Sequence, residues 1–218
     1  MNRVDTDVIT MGASVGVFLS GNNDVITANL ITELGSEAVL ISNFPSTTGP
    51  FLNNQVTANS ISGSARLINS SSVSLTNASG TLVKDNAIEG RLTTPGVFVN
   101  ASANTTVSGN YLTKNGAGVL VRDGSSGTLI TANYATANSF GLQVESAPTG
   151  TTLTANNASG NTGDGIHVSS TSATITSNTA NDNGNWGIFA ALGVTDGGGN
   201  KAADNAHAGQ CTSNIVCT

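Results

Sequence analysis

The segment Thr174-Ile175-Thr176-Ser177-Asn178-Thr179-Ala180-Asn181-Asp182-Asn183-Gly184-Asn185-Trp186-Gly187-Ile188-Phe189-Ala190 carries the pattern that decides the fold. An apolar residue, Ile175, stands three before Asn178, and a small one, Ala180, stands two after it. A second asparagine, Asn183, follows, and Gly187 then opens a short apolar alternation. Period-two alternation marks strands, while the Asn and Gly between them mark turns.

Outward from this segment the pattern recurs along the chain. The first asparagine reappears at Asn29, Asn59, Asn86, Asn110, Asn133, Asn156, Asn178 and Asn200, in steps of 30, 27, 24, 23, 23, 22 and 22 residues. Asp7, 22 residues before Asn29, completes the row. Three residues before stand Val4, Ile26, Val56, Val83, Val107, Ile130, Leu153 and Ile175; two after stand Ile9, Ile31, Ile61, Ile88, Leu112, Ala135, Ala158, Ala180 and Ala202. The second row runs Asn115, Asn138, Asn161, Asn183 and Asn205, and the Gly-led strands include Gly96-Val97-Phe98-Val99, Gly118-Val119-Leu120-Val121 and Gly165-Ile166-His167-Val168. No helical periodicity interrupts them.

A unit of 22–30 residues cannot bury its apolar face alone, but stacked units share one continuous column. The expectation is an all-β solenoid of about nine coils over residues 1–205, with residues 206–218 as a C-terminal tail. At about 4.8 Å per parallel strand, nine coils make a rod roughly 40 Å long. Stacked Asn amides can hydrogen-bond along the ladder and satisfy turn backbone, whereas stacked Asp carboxylates would repel.

On these motifs the chain resembles the right-handed parallel β-helix repeat proteins of the pectate-lyase-like superfamily, over roughly residues 4 to 205. The right hand is implied by that resemblance. The ending Gly197-Gly198-Gly199-Asn200, with Cys211 and Cys217 beyond it, looks like the closing coil and disulfide-tied tail of secreted bacterial members. The family includes lyases, epimerases, hydrolases, adhesins and tail-spike proteins, so the resemblance speaks to fold more than to activity.

Family enzymes use the outer face of one strand row. Here the outward positions of the Gly-led strands are Phe18, Leu40, Phe98, Leu120, Gln143, His167 and Phe189. Arg122, Asp123, Glu145 and His167 are the candidate catalytic residues, with Asp164 in the turn before His167. A lyase or uronate epimerase needs a base for C5 and a cation for the carboxylate, and this cluster holds both within two or three coils. Against that, the motifs of galacturonan hydrolases, alginate epimerases and pectate lyases are absent. His167 reads first as a plain outward surface residue and only second as an acid–base group. Tyr111, Tyr134 and Gln143 are the candidate carbohydrate-binding residues, the two tyrosines forming a sugar-stacking platform or an aromatic ladder between coils.

Other features set bounds. Thr, Ser and Asn total 81 of 218 residues, charged residues are 9%, and Lys plus Arg number 7 against 13 acids. That balance removes the electrostatic basis for nucleic-acid binding. No apolar run has the length of a membrane span. Cys211 and Cys217 read as a disulfide loop, which implies an oxidising compartment, or as two reduced thiols. No cofactor is expected, although Asp182 and Asp204, equivalent positions in adjacent coils, are placed to share a calcium ion. The apolar outward stripe suggests a homo-oligomer contact or a covering segment such as Phe44–Pro50. The row Thr27, Thr57, Thr131, Thr154 and Thr176 resembles an ice-binding array, interrupted by Lys84 and Ser108. Val4 enters mid-coil without a cap or preceding secretory signal, so the expectation is a missing N-terminal cap or domain, or a partner that covers that end. The functional expectation is a non-catalytic extracellular or cell-surface β-helix module, structural or associating with polysaccharide or a cell-surface glycan. Its alternatives are a polysaccharide lyase or epimerase acting near Arg122 to His167, and a surface or phage fibre assembly module.

Overall fold

The computed structural model describes residues 1–10, 12–42, 51–65 and 70–218. The expected covering loop Phe44–Pro50, and Arg66, lie outside them. Each coil visits three parallel sheets in turn. Sheet 1 has nine strands, from Arg3–Asp5 to Thr195–Gly198; sheet 2 has six, from Val8–Thr10 to Tyr134–Thr136; sheet 3 has eight, from Val17–Leu19 to Ile188–Ala190. Sheet 2 continues beyond Tyr134 as single bridges through Asn157, Thr179 and Lys201.

The described residues thus make eight complete turns, one fewer than the repeat count. The ninth coil has its sheet 1 strand, but after Asn205 the chain lies against Ile188 through one bridge from Cys211 instead of a third strand. Cys211 and Cys217 are disulfide-bonded. Cys217 bridges Asn200, and Ile215, only 5% exposed, joins the end of the core. The tail therefore caps the last coil.

Inward columns from all three sheets meet in one core: Ile130 from sheet 1, Leu112 from sheet 2 and Leu142 from sheet 3 are each fully buried. Along sheet 2 the column shrinks from Ile88 and Leu112 to Ala135, Ala158 and Ala180. Its regular strands give way to single bridges just beyond Ala135.

The asparagine rows are continuous hydrogen-bonded ladders. From Asn29 to Asn200 each Nδ2 donates to the Oδ1 of the next coil's Asn at 2.9–3.3 Å. Each Nδ2 also donates to a sheet 1 carbonyl of the previous coil, as Asn133 does to Val107 at 2.9 Å. Each Oδ1 also accepts the backbone N–H of the preceding Asn, as Asn133 does from Asn110 at 3.0 Å. The second ladder runs from Asn115 to Asn205 in the same way. The Gln210 side chain ends it by accepting from Asn205 Nδ2 at 2.7 Å. Asp196 ends the first by accepting from Asn200 Nδ2 at 3.0 Å.

Two local features follow. The residue before each ladder Asn turns the chain with a left-handed backbone, and Ala28, Ala58, Ala132, Ala155 and Ala137 all hold φ of 54–56°. Non-glycine residues enter that region at a cost of about 1 kcal/mol or more, which the ladder offsets. The glycine opening each later sheet 3 strand passes so close to the second ladder that a Cβ on Gly165 would lie 2.6 Å from Asn183 Nδ2 and 2.5 Å from Ala158 O. Asn and Gly are thus two halves of one device.

Asn133 has no exposed surface, and its Nδ2 faces three acceptors: Val107 O, Thr131 O and Asn156 Oδ1. Asn133→Ala is expected to lower unfolding free energy by about 2–4 kcal/mol. Asn133→Asp should cost more, because a buried carboxylate would face those three acceptors. Guanidinium denaturation of the two variants at neutral pH checks both the loss and its order. Cys217→Ser should cost about 2 kcal/mol, the short-loop value, seen as a lower thermal midpoint that the reductant-treated parent matches.

Candidate functional site

Period-two geometry on sheet 3 buries Leu142, Val144, Ile166, Val168 and Ile188 completely and turns the intervening residues outward. In-register pairing then stacks Leu120, Gln143, His167 and Phe189 in one column. The column begins with Phe18, Leu40, Ser74 and Phe98, so the expected apolar stripe is also broken by Ser74. Phe18 is 43% exposed and the other members are partly or fully shielded. Beside this column runs a second, in which Arg122, Glu145 and Ser169 each follow a paired core position.

Arg122 does not present a free cation. Its Nε lies 3.2 Å from a Glu145 carboxylate oxygen and 3.5 Å from one of Asp123. Three of the four candidate catalytic residues are therefore brought together as an ion-paired cluster. His167 is engaged elsewhere, with Asp164.

Asp164 sits in the turn before the strand, its side chain only 4% exposed. Its Oδ1 accepts from Asn185 Nδ2 at 2.7 Å and from the Trp186 backbone N–H at 3.0 Å. Its Oδ2 lies 2.7 Å from His167 Nδ1. Burial pushes the Asp164 carboxyl up, but hydrogen bonds from His167, Trp186 and Asn185 together hold it below its ordinary value. A carboxylate only accepts, so Nδ1 is the donor in this contact, and in the neutral imidazole Nε2 is then the acceptor. Ser169 Oγ lies 3.3 Å from that Nε2.

Aromatic rings hold the imidazole in place. His167 stacks on Phe189 with centroids 4.5 Å apart and meets the edge of Phe140 at 5.8 Å. Trp186 meets Phe189 edge-on at 6.4 Å and stacks on His207. Next to this group lies a cleft of about 260 Å³ whose lining includes Leu92, Pro95, Leu120, Phe140 and Gln143. Leu120 and Gln143 belong to both cleft and column, and Phe140 of the cleft wall meets the His167 ring edge-on, so the cleft lies on the same face as His167.

Tyr111 and Tyr134 lie on sheet 2, a different face. They are register partners in adjacent coils, 51% and 57% exposed, and Tyr111 lines a hollow of about 300 Å³. Of the three candidate carbohydrate-binding residues, only Gln143 is on the His167 face. Asp182 and Asp204 occupy left-handed turn positions one coil apart. Among the described residues no group of three or more His, Cys, Asp or Glu is arranged to hold a metal ion. No helix among them is long and apolar enough to cross a membrane.

The reading of residues alone missed Ser169, Phe140, Trp186 and Leu92. Ser169 was within reach, since outward parity places it two positions from His167. Leu92 sits in a turn with no repeat signal.

The family described as right handed beta helix region matches residues 2–158. Among solved structures, the crystal structure of the Dettilon tailspike protein is similar, with a TM-score of 0.53 at 14% identity. The likeness covers 98% of this chain and 56% of the tailspike chain. It shows a shared coil architecture. No curated protein matches the chain in sequence.

Because Asp164 is held below its ordinary pKa of 3.8, its contribution to stability is present above about pH 4 and is lost as pH falls through the lowered folded value. Asp164→Asn should therefore melt below the parent at pH 7, with the two midpoints converging as pH falls below the ordinary carboxylate value. Thermal melts across that range check the sign. A constant gap at every pH would show that the carboxylate charge has no part in it.

Proposed function

The chain belongs to the right-handed β-helix family, and from that footing we propose that it is an extracellular or cell-surface β-helix module that holds polysaccharide along the outer face of sheet 3. One observation carries this reading: the cleft beside His167 is bordered by Phe140, with the Phe189 and Trp186 rings beyond it. Aromatic faces pack against the C–H faces of sugar rings, while Gln143, Asn185 and Glu145 bring hydrogen-bonding groups to the same face. A rigid stack of strands displays these groups at fixed spacing, which suits a ligand that is itself repetitive.

The disulfide supports placement in an oxidising compartment. The tailspike's shared coil architecture supports a surface or fibre setting. Chain cleavage by a lyase or C5 inversion by an epimerase is less well supported, because Arg122 is already paired with two carboxylates and would have to leave them to neutralise a uronate.

Affinity electrophoresis through gels containing neutral and acidic polysaccharides tests the proposal. The protein should be retarded by at least one polymer, and Trp186→Ala or Phe189→Ala should weaken that retardation about 3- to 10-fold, the scale of one aromatic stacking contact. Loss of retardation in Tyr111→Ala with Trp186→Ala unaffected would move the binding face to sheet 2. Absence of retardation in every polymer would sink the proposal.

A further inference from the structure

The contacts around His167 go beyond what holding a glycan requires. Ser169 Oγ, His167 Nε2, His167 Nδ1 and Asp164 Oδ2 form one continuous line, with steps of 3.3 Å and 2.7 Å at its two hydrogen bonds. Asp164 is buried and fixed by two further donors, Asn185 Nδ2 and Trp186 N. It therefore orients the imidazole. Ser169 is partly exposed, at the end of the Ile166–Val168 strand. These are the roles of nucleophile, base and orienting acid, recognised by geometry rather than by order in the chain.

We propose that Ser169, His167 and Asp164 form a nucleophilic triad that hydrolyses short acyl esters carried on polysaccharide hydroxyls. The substrate class rests on the glycan-holding reading of this face; the triad itself does not. On the same face, on the preceding coils, a cleft of about 260 Å³ walled by Leu92, Pro95, Leu120 and Phe140 shares Gln143, the register partner of His167, and gives an apolar place for a short acyl group.

The chemistry balances with water alone. Ser169 Oγ attacks the ester carbonyl carbon as its proton passes to His167 Nε2 and the carbonyl electron pair moves to oxygen. Gln143, the register partner of His167 one coil earlier, is the neighbouring amide donor for that oxyanion. Collapse breaks the bond to the sugar oxygen, which takes the proton back from the imidazolium and leaves as the free hydroxyl. Water then attacks the acyl-serine by the same route, releasing the carboxylic acid and restoring Ser169. One ester and one water give one alcohol and one acid.

The test uses the whole protein with p-nitrophenyl acetate and O-acetylated xylan, following nitrophenol and acetate. In parallel, a fluorophosphonate probe, which bonds phosphorus to a reactive serine oxygen as fluoride leaves, is mapped by peptide mass spectrometry. Ester cleavage with a single label at Ser169 is expected, and Ser169→Ala and His167→Ala should each lower the rate about 100-fold or more while keeping the parent's circular dichroism. Asp164 acts through His167, so Asp164→Asn should lower kcat and leave KM nearly unchanged. Hydrolysis by Ser169→Ala at the parent rate overturns the inference. So does a parent protein that neither cleaves nor labels. The gel assay separates the two readings. Retardation without cleavage or labelling overturns only the triad. Labelling at Ser169 without retardation by any polymer leaves the triad standing and overturns the glycan reading.

Discussion

The amide of a stacked asparagine is the contact on which the rest of this molecule depends. A parallel stack of coils repeats the same turn every few ångströms, so whatever fills one turn meets a copy of itself above and below. A carboxylate there repels its copy. An amide attracts it, because donor and acceptor face opposite ways along the stack. Asn133 shows the arrangement complete: Oδ1 accepts twice from Asn110, and the two protons of Nδ2 are shared among Asn156 Oδ1, Val107 O and Thr131 O, with nothing left for water to satisfy. The left-handed residues before each Asn and the glycines beside Asn161, Asn183 and Asn205 are the geometric consequences of placing that amide inside the turn.

A ladder so specific also locks register. Once Asn138, Asn161 and Asn183 are stacked, the strands that follow start at equivalent points, and Gln143, His167 and Phe189 must fall in one outward column. The candidate side chains are thus placed by contacts made in the turn that precedes each strand. The same rigidity holds Asp164 in its turn, where Trp186 of the next coil supplies a backbone donor to a carboxylate that burial alone would push toward its neutral form.

Much of this was readable in advance for a clear reason. Ladders, inward apolar columns and opening glycines repeat, and a repeated position reports its environment many times over. The pairing of Cys211 with Cys217 followed from their closeness near the chain end. The coil count was harder: the ninth unit carries the pattern through Asn205, yet its third strand is replaced by the disulfide-tied tail, a substitution with no periodic trace. At the candidate site, the closeness of Arg122 to Glu145 was legible from spacing. Their ion pair, and the engagement of His167 with Asp164 and Ser169 instead, depended on side-chain directions that occur once in the chain.

The sequence by itself determined the solenoid: the order of turns and strands, which residues face inward, and which asparagines stack. Those properties are periodic and local, so composition at each repeat position suffices to specify them. Only the tertiary structure decided which singular residues meet. Phe140, His167 and Phe189 come from three different coils, Trp186 meets His207 from the closing tail, and Leu92 reaches the cleft from a turn outside the pattern. Their contacts run across coils, between side chains that no repeat constrains, and such contacts exist only once the stack has formed.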